Sequence, residues 1–144
     1  KGQRWETTTQ GVSWLIDSSL PGDEGNSVIY GHNWENLLGN LISVRPGYQI
    51  EIVYKDGSKK TFIVDRTAIV SPKNISVLKQ SKDKKITLYT CVGLFDEKRF
   101  VVVARLRTNL KTSARYDVFR TPTPRLSGPL GDLLKMHIFA STSY

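Results

Sequence analysis

Short apolar runs separated by turn residues fill the chain from Val12 to Leu106. Val28-Ile29-Tyr30 follows the turn-rich stretch Pro21-Gly22-Asp23-Glu24-Gly25-Asn26 and predicts a short strand. Tyr48, Ile50, Ile52 and Tyr54 alternate with Gln49, Glu51 and Val53, close to the two-residue period of a strand. Lys55-Asp56-Gly57-Ser58 supplies a glycine-containing turn, and Thr61-Phe62-Ile63-Val64 is the return strand, so the pair predicts a hairpin. Ala68-Ile69-Val70 reads as a further strand stopped by Pro72, since proline breaks the ladder. Ile86 to Thr90 and Phe100 to Leu106 are rich in β-branched and aromatic residues and predict two more strands, with the loop Val92 to Arg99 between them. Two short helical pieces are expected, Asn33 to Leu41 and Ile75 to Gln80, the second capped by Asn74. Short strands without regularly alternating long helices predict an all-β fold, an antiparallel barrel or sandwich with one or two short helices.

The pattern changes after Arg107. Pro122, Pro124 and Pro129 follow, and Thr121-Pro122-Thr123-Pro124 favours an extended strap over a helix. Gly131 to Ala140 predicts a short terminal helix or strand. The chain therefore divides into residues 1–107, a β domain, and 108–144, a basic, proline-containing extension.

Composition narrows the class. A chain of 144 residues, 39% hydrophobic and 10% aromatic, can build one real core, which excludes wholesale disorder. No apolar run approaches the roughly 20 residues of a membrane-spanning helix. Lys1 to Gln10 are polar, so no signal peptide is expected, and a membrane anchor of an exported protein would lie outside this chain. One cysteine excludes an internal disulfide framework and multi-cysteine zinc, two histidines restrict other metal sites, and the acidic residues are scattered singly. No metal and no cofactor are expected. The net charge is +8, and from Arg105 onward seven basic residues face two acidic ones, so that segment alone carries +5. Such a balance suits a polyanionic partner, or simply a solvated basic tail.

The candidate chemistry begins at Cys91, which ends the apolar run Thr87-Leu88-Tyr89-Thr90 and precedes a loop with Gly93. A lone thiol is often a buried, inert one, yet a strand end presents its residue at a rim, where a nearby base or cation can activate it. His32 ends another apolar strand, beside Gly31, which allows close backbone approach. Arg99 stands eight residues after Cys91, directly before Phe100-Val101-Val102-Val103. If Cys91 ends one strand and Arg99 begins its antiparallel partner, both reach the same rim. Spacing alone leaves open a trio of Cys91, His32 and Arg99, or three ordinary structural side chains.

Thr-Leu-x-Thr-Cys, with Tyr89 as x, followed by arginine and an apolar strand, resembles the signature of the sortases, bacterial cysteine transpeptidases that attach proteins to the cell wall or build pili. Pro21-Gly22, Asn26 and Gly31-His32 at their spacing resemble the segment carrying the sortase histidine, and Gly47-Tyr48-Gln49-Ile50 resembles the family's Gly-Asp-x-Ile element, without its acid. The resemblance spans about Gly11 to Leu106, with the family's first strand missing or very short, and the extension after Arg107 has no counterpart in it. It implies a sortase-like antiparallel β-barrel with His32 as general acid and base, Cys91 as nucleophile and Arg99 as donor to the substrate. Thr90 is implied as a weaker oxyanion or positioning residue, and Arg105 and Arg107 rank below Arg99. His137 matches no motif position. The implied substrate is a Leu-Pro-x-Thr-Gly-like sorting signal cut after threonine. The acceptor is an amine of a peptidoglycan precursor or a pilin, and the location is the extracellular face of the bacterial membrane or cell wall. Nucleic acid is not an expected partner. The alternatives are a cysteine peptidase that uses water alone, and a non-catalytic basic β-domain that binds an anionic polymer.

Overall fold

The computed structural model describes residues 11–108 and the strand Leu133–His137, whose backbone alone is described. Among the described residues seven strands form one sheet: β1 (Ser13–Trp14), β2 (Gly25–Gly31), β3 (Gln49–Val53), β4 (Lys59–Val70), β5 (Lys84–Val92), β6 (Lys98–Leu106) and β7 (Leu133–His137). Their order across the sheet is β1-β2-β5-β6-β4-β3-β7. The fold is all-β, and its helical content among the described residues is confined to three single turns of tight 3-10 helix, Gly39–Ser43, Ile75–Leu78 and Leu94–Asp96. The sheet is mixed. β1/β2, β3/β4, β4/β6 and β5/β6 are antiparallel, as expected, whereas β2/β5 and β3/β7 are parallel. Their parallel direction depends on chain path, which local pattern does not encode.

Alternation along the strands sorts the side chains onto two faces. One face carries Ile29 of β2, Ile50 and Ile52 of β3, Phe62 and Val64 of β4, Ile86 and Leu88 of β5, and Phe100, Val102 and Ala104 of β6, all in one buried cluster. Leu38, Leu41 and Val44, from the segment between β2 and β3, complete it. The predicted helix over Asn33 to Leu41 is a series of turns followed by the short helix Gly39–Ser43. Gly39 is required there: a Cβ would lie 2.8 Å from the carbonyl carbon and oxygen of Trp34. The turn after β3 closes as predicted, with Tyr54 N–H donating to the Ser58 carbonyl (2.8 Å) and Gly57 at φ 82°.

One expectation is corrected. The two strands predicted over Thr61–Val64 and Ala68–Val70 are one continuous twelve-residue strand, β4, with a bulge between Val64 and Arg66. The polar Asp65-Arg66-Thr67 stretch reads as an interruption because the bulge puts an extra residue into the ladder and shifts the alternation. As a result Val64 faces the core while Val70, six residues on, stands opposite Arg99 on the other face. Of the extension, Leu133–His137 is a strand, one of the two forms expected for Gly131 to Ala140, and it pairs with β3 over Gln49–Val53. The proline strap at 121–124 lies outside the described residues.

Candidate active site

The face of β2, β5 and β6 opposite the core carries a groove. β5 and β6 pair in antiparallel register with Cys91 directly across from Arg99. β2 and β5 pair in parallel, ending at Gly31 opposite Thr90, so the next residue on each strand is His32 and Cys91. By alternation Asn26, Val28 and Tyr30 of β2, Thr87, Tyr89 and Cys91 of β5, and Arg99 of β6 share this face. The groove has a volume of about 440 Å³ and is lined by His32, Cys91 and Arg99 together with Tyr30, Tyr89 and Asp96. Val70, Pro72, Val77 and Leu78, from the end of β4 and the segment after it, line it as well. The three residues singled out in the sequence therefore meet in one cleft.

Each of the three is held by local structure. His32 is half-buried and stacks on Trp34, with ring centroids 4.6 Å apart and planes 13° from parallel. The His32 carbonyl also accepts from Leu38 N–H at 3.2 Å, which ties the histidine to the buried end of the following turn. Arg99 is anchored at one end of its fork: Nη1 donates to the carbonyls of Asp96 (2.7 Å) and Lys98 (3.0 Å). Nη1 carries two of the five guanidinium N–H groups, which leaves Nε and Nη2 for other acceptors. The loop supplying those carbonyls turns sharply, with Gly93, Phe95 and Asp96 at φ 94°, 63° and 56°.

Thr90 behaves differently from the trio. Its hydroxyl is buried and donates to the Gly31 carbonyl at 2.8 Å, so it is committed to bracing the peptide before His32.

The electrostatics of Cys91 have opposing causes. Burial pushes the thiol up, the Arg99 charge pulls it down, and Asp96 raises it further. Burial is the largest cause, so the neutral thiol is favoured at neutral pH. Tyr89 is likewise pushed well up by burial, and its ring stacks on Tyr30 at 5.5 Å to form an aromatic floor.

Four contributors were not singled out from sequence. Tyr30 and Tyr89 each stand two residues before His32 and Cys91, and strand period was a sufficient signal for them. Trp34 and Asp96 act through loops whose shape the sequence does not display. Arg105 lies at the far end of β6, opposite Lys85, and pairs with Asp83 (2.9 Å) and Asp65 (3.5 Å). His137 pairs in register with Val53 on β7, away from β5. Among the described residues no three or more His, Cys, Asp or Glu side chains cluster to hold a metal ion.

Residues 1–107 match the family model of the sortase domain. No curated protein matches the chain in sequence. Solved structures are similar in fold. A lid mutant of sortase A from Corynebacterium diphtheriae is 30% identical with a TM-score of 0.63, over 72% of this chain and 61% of that one. Sortase A of Listeria monocytogenes is 24% identical with a TM-score of 0.55, over 72% and 75%. A sortase D5 transpeptidase of Clostridium perfringens is 20% identical with a TM-score of 0.56, over 67% and 62%. The chain thus spans less than two thirds of the length of the Corynebacterium and Clostridium proteins.

Proposed function

The chain belongs to the sortase family of cysteine transpeptidases, and on that premise we propose that it cleaves a Leu-Pro-x-Thr-Gly-like sorting signal after threonine and transfers the acyl group to an amine. The observation that carries the reading is the register at the groove's rim, Cys91 across from Arg99 and one residue past the Gly31–Thr90 pair that leads into His32.

In this mechanism Cys91 attacks the threonine carbonyl. Because burial favours the thiol, its proton leaves Sγ as the carbon–sulfur bond forms, and His32 receives it. His32 then passes that proton to the departing glycine amine as the peptide bond breaks, leaving a thioester on Cys91. The incoming amine attacks the thioester and gives a proton to His32, and sulfur departs and is reprotonated. Arg99, with Nη1 anchored, offers Nε and Nη2 to the substrate backbone and the developing oxyanion. Thr90 contributes indirectly, by holding the Gly31 carbonyl and hence the His32 backbone.

The acceptor amine belongs to a peptidoglycan precursor or a pilin, and the reaction takes place on the outer face of the bacterial membrane or in the wall. Among the described residues no helix is long and apolar enough to cross a membrane. Residues 1–107 form the catalytic domain, and 108–144 are an extension that returns one strand to its sheet.

The test is incubation with a library of sorting-signal peptides, with and without an added amine, followed by mass spectrometry. The expected result is an acyl adduct on Cys91, chased to an aminolysis product when amine is present. Absence of any adduct across the library, or equal cleavage by Cys91→Ala, would overturn the reading. Release of acid alone, with amine present, would replace transpeptidation by hydrolysis.

A further inference from the structure

The groove has a wall that catalysis does not explain, the segment over residues 70–80, and it is fastened at one end to a single buried side chain. Asn26 sits at the start of β2 and is fully buried. Its Nδ2 donates to the carbonyls of Val77 and Lys79, both at 3.2 Å, and its Oδ1 accepts from the Thr87 hydroxyl at 2.7 Å. The two loop carbonyls can only accept, so they fix which way the amide points, with Nδ2 toward them; the Thr87 hydroxyl then donates to Oδ1 and braces the amide from the other side.

The loop answers from the other side. Gln80 Oε1 accepts from Asn26 N–H at 2.9 Å, and Gln80 Nε2 donates to the Asn26 carbonyl at 3.1 Å. β1 pairs with β2 only at Ile29 and Tyr30, so at Asn26 the strand edge has no neighbouring strand from β1. The Gln80 amide bonds both backbone groups there, sharing the Asn26 carbonyl with Ser19 N–H at 3.3 Å. Of the two groove-lining residues, Val77 gives one of these carbonyls and Leu78 lies between it and Lys79.

We propose that Asn26, braced by Thr87 and clasped by Gln80, is a positioning residue for substrate binding. It sets the height of the Val77–Leu78 wall above the tyrosine floor and acts through the loop, without reaching the reacting atoms. The inference rests on the groove being the peptide site. Asn26 and Thr87 are also positions of the two motifs that carried the sequence resemblance, and the reaction uses neither of them. Asn26→Asp keeps the size and the acceptor for Thr87 but turns a carboxylate toward two carbonyls, so it breaks the loop contacts selectively. Gln80→Ala removes the exposed half of the clasp with little risk to folding.

The experiment combines peptide kinetics with backbone amide exchange on wild type, Asn26→Asp, Gln80→Ala, Thr87→Val and Thr87→Ser. Asn26→Asp is expected to raise KM about tenfold while kcat stays within about threefold, the scale of one buried polar group left unpartnered. Amide exchange over residues 75–80 should accelerate, while β5 and β6 remain protected and the alkylation rate of Cys91 is unchanged. Gln80→Ala should shift both readouts in the same direction. Thr87→Val should behave like Asn26→Asp, and Thr87→Ser should restore wild-type KM. Unchanged exchange over 75–80 in Asn26→Asp and Gln80→Ala would overturn the proposal, as would a loss confined to kcat. If wild type turns over no sorting peptide, the functional reading fails on its own, and the exchange data still decide whether the clasp exists.

Discussion

At the residue scale, Cys91 is governed by three causes of known sign. Burial and Asp96 raise its pKa and Arg99 lowers it, burial being the largest. The reactive thiolate therefore grows in only at alkaline pH, and the rate of alkylation by iodoacetamide should rise with a midpoint above that of an ordinary cysteine. Asp96→Asn should move that midpoint down and Arg99→Gln should move it up; opposite shifts would mean that these groups do not face the thiol. Replacing Cys91 by alanine should abolish peptide cleavage with the fold retained, since the chain has one cysteine and no other sulfur can form the thioester.

Arginine position can be tested in the same assay. Arg99→Lys keeps the charge but loses the anchored planar fork, and cleavage should fall about 10²–10³-fold, the usual cost of one oxyanion donor. Arg105 lies six residues further along β6, about 20 Å at strand rise, in exposed pairs with Asp83 and Asp65. Arg105→Lys should leave turnover intact and cost less than about 1 kcal/mol in urea unfolding. The reverse ranking would remove Arg99 from the mechanism.

At the scale of elements, the site depends on two departures from regularity. The bulge in β4 changes which face its later residues present, and so Val70 joins the groove opposite Arg99 instead of the core. The turn from His32 to Gly39 closes on itself, with Leu37 and Gly39 N–H both donating to the Trp34 carbonyl at 2.9 and 2.8 Å. Trp34 in turn stacks on His32. A methyl group at Gly39 would meet the Trp34 backbone at 2.8 Å, where no rotamer change can relieve it. Gly39→Ala should therefore cost about 1–3 kcal/mol, as overpacking does, and lower peptide turnover by unseating the Trp34 support of His32. Urea unfolding and cleavage rates check the two parts. An alanine variant with wild-type stability would mean that this turn is looser than its geometry implies.

For the whole molecule, the outermost strand beside β3 comes from the C-terminal segment. Five residues of β7 pair with Gln49–Val53, which carry the buried Ile50 and Ile52. Ending the chain at Thr108 should leave that edge unpaired. We expect a lower Tm, at about 2–4 °C per kcal/mol lost, and a tendency to associate through the exposed edge. Calorimetry and size-exclusion chromatography measure these. Cys91 lies on β5, three strands from β3 in the sheet, and its alkylation rate should change less than about twofold, as expected for distant sites. A truncated chain of unchanged Tm would show that β7 adds no stability.

Much of this was legible in the residues themselves. Strand period over Ile50 and Ile52, the turn at Gly57, the Asn74 cap, which accepts from Ser76 N–H at 3.1 Å, and the all-β class are local properties, written in neighbouring side chains. Cys91, His32 and Arg99 were legible because each ends or begins an apolar run, and the Thr-Leu-x-Thr-Cys and Gly-His elements joined them to a family. What tertiary structure alone decided is how distant runs lie against one another. The parallel pairing that puts His32 next to Cys91, the shift of face within β4, and the clasp of Asn26 by a loop 54 residues away all join parts of the chain with no local signal of their meeting. The balance of charges at Cys91 belongs with them, because burial and the proximity of Arg99 and Asp96 exist only once the sheet has formed.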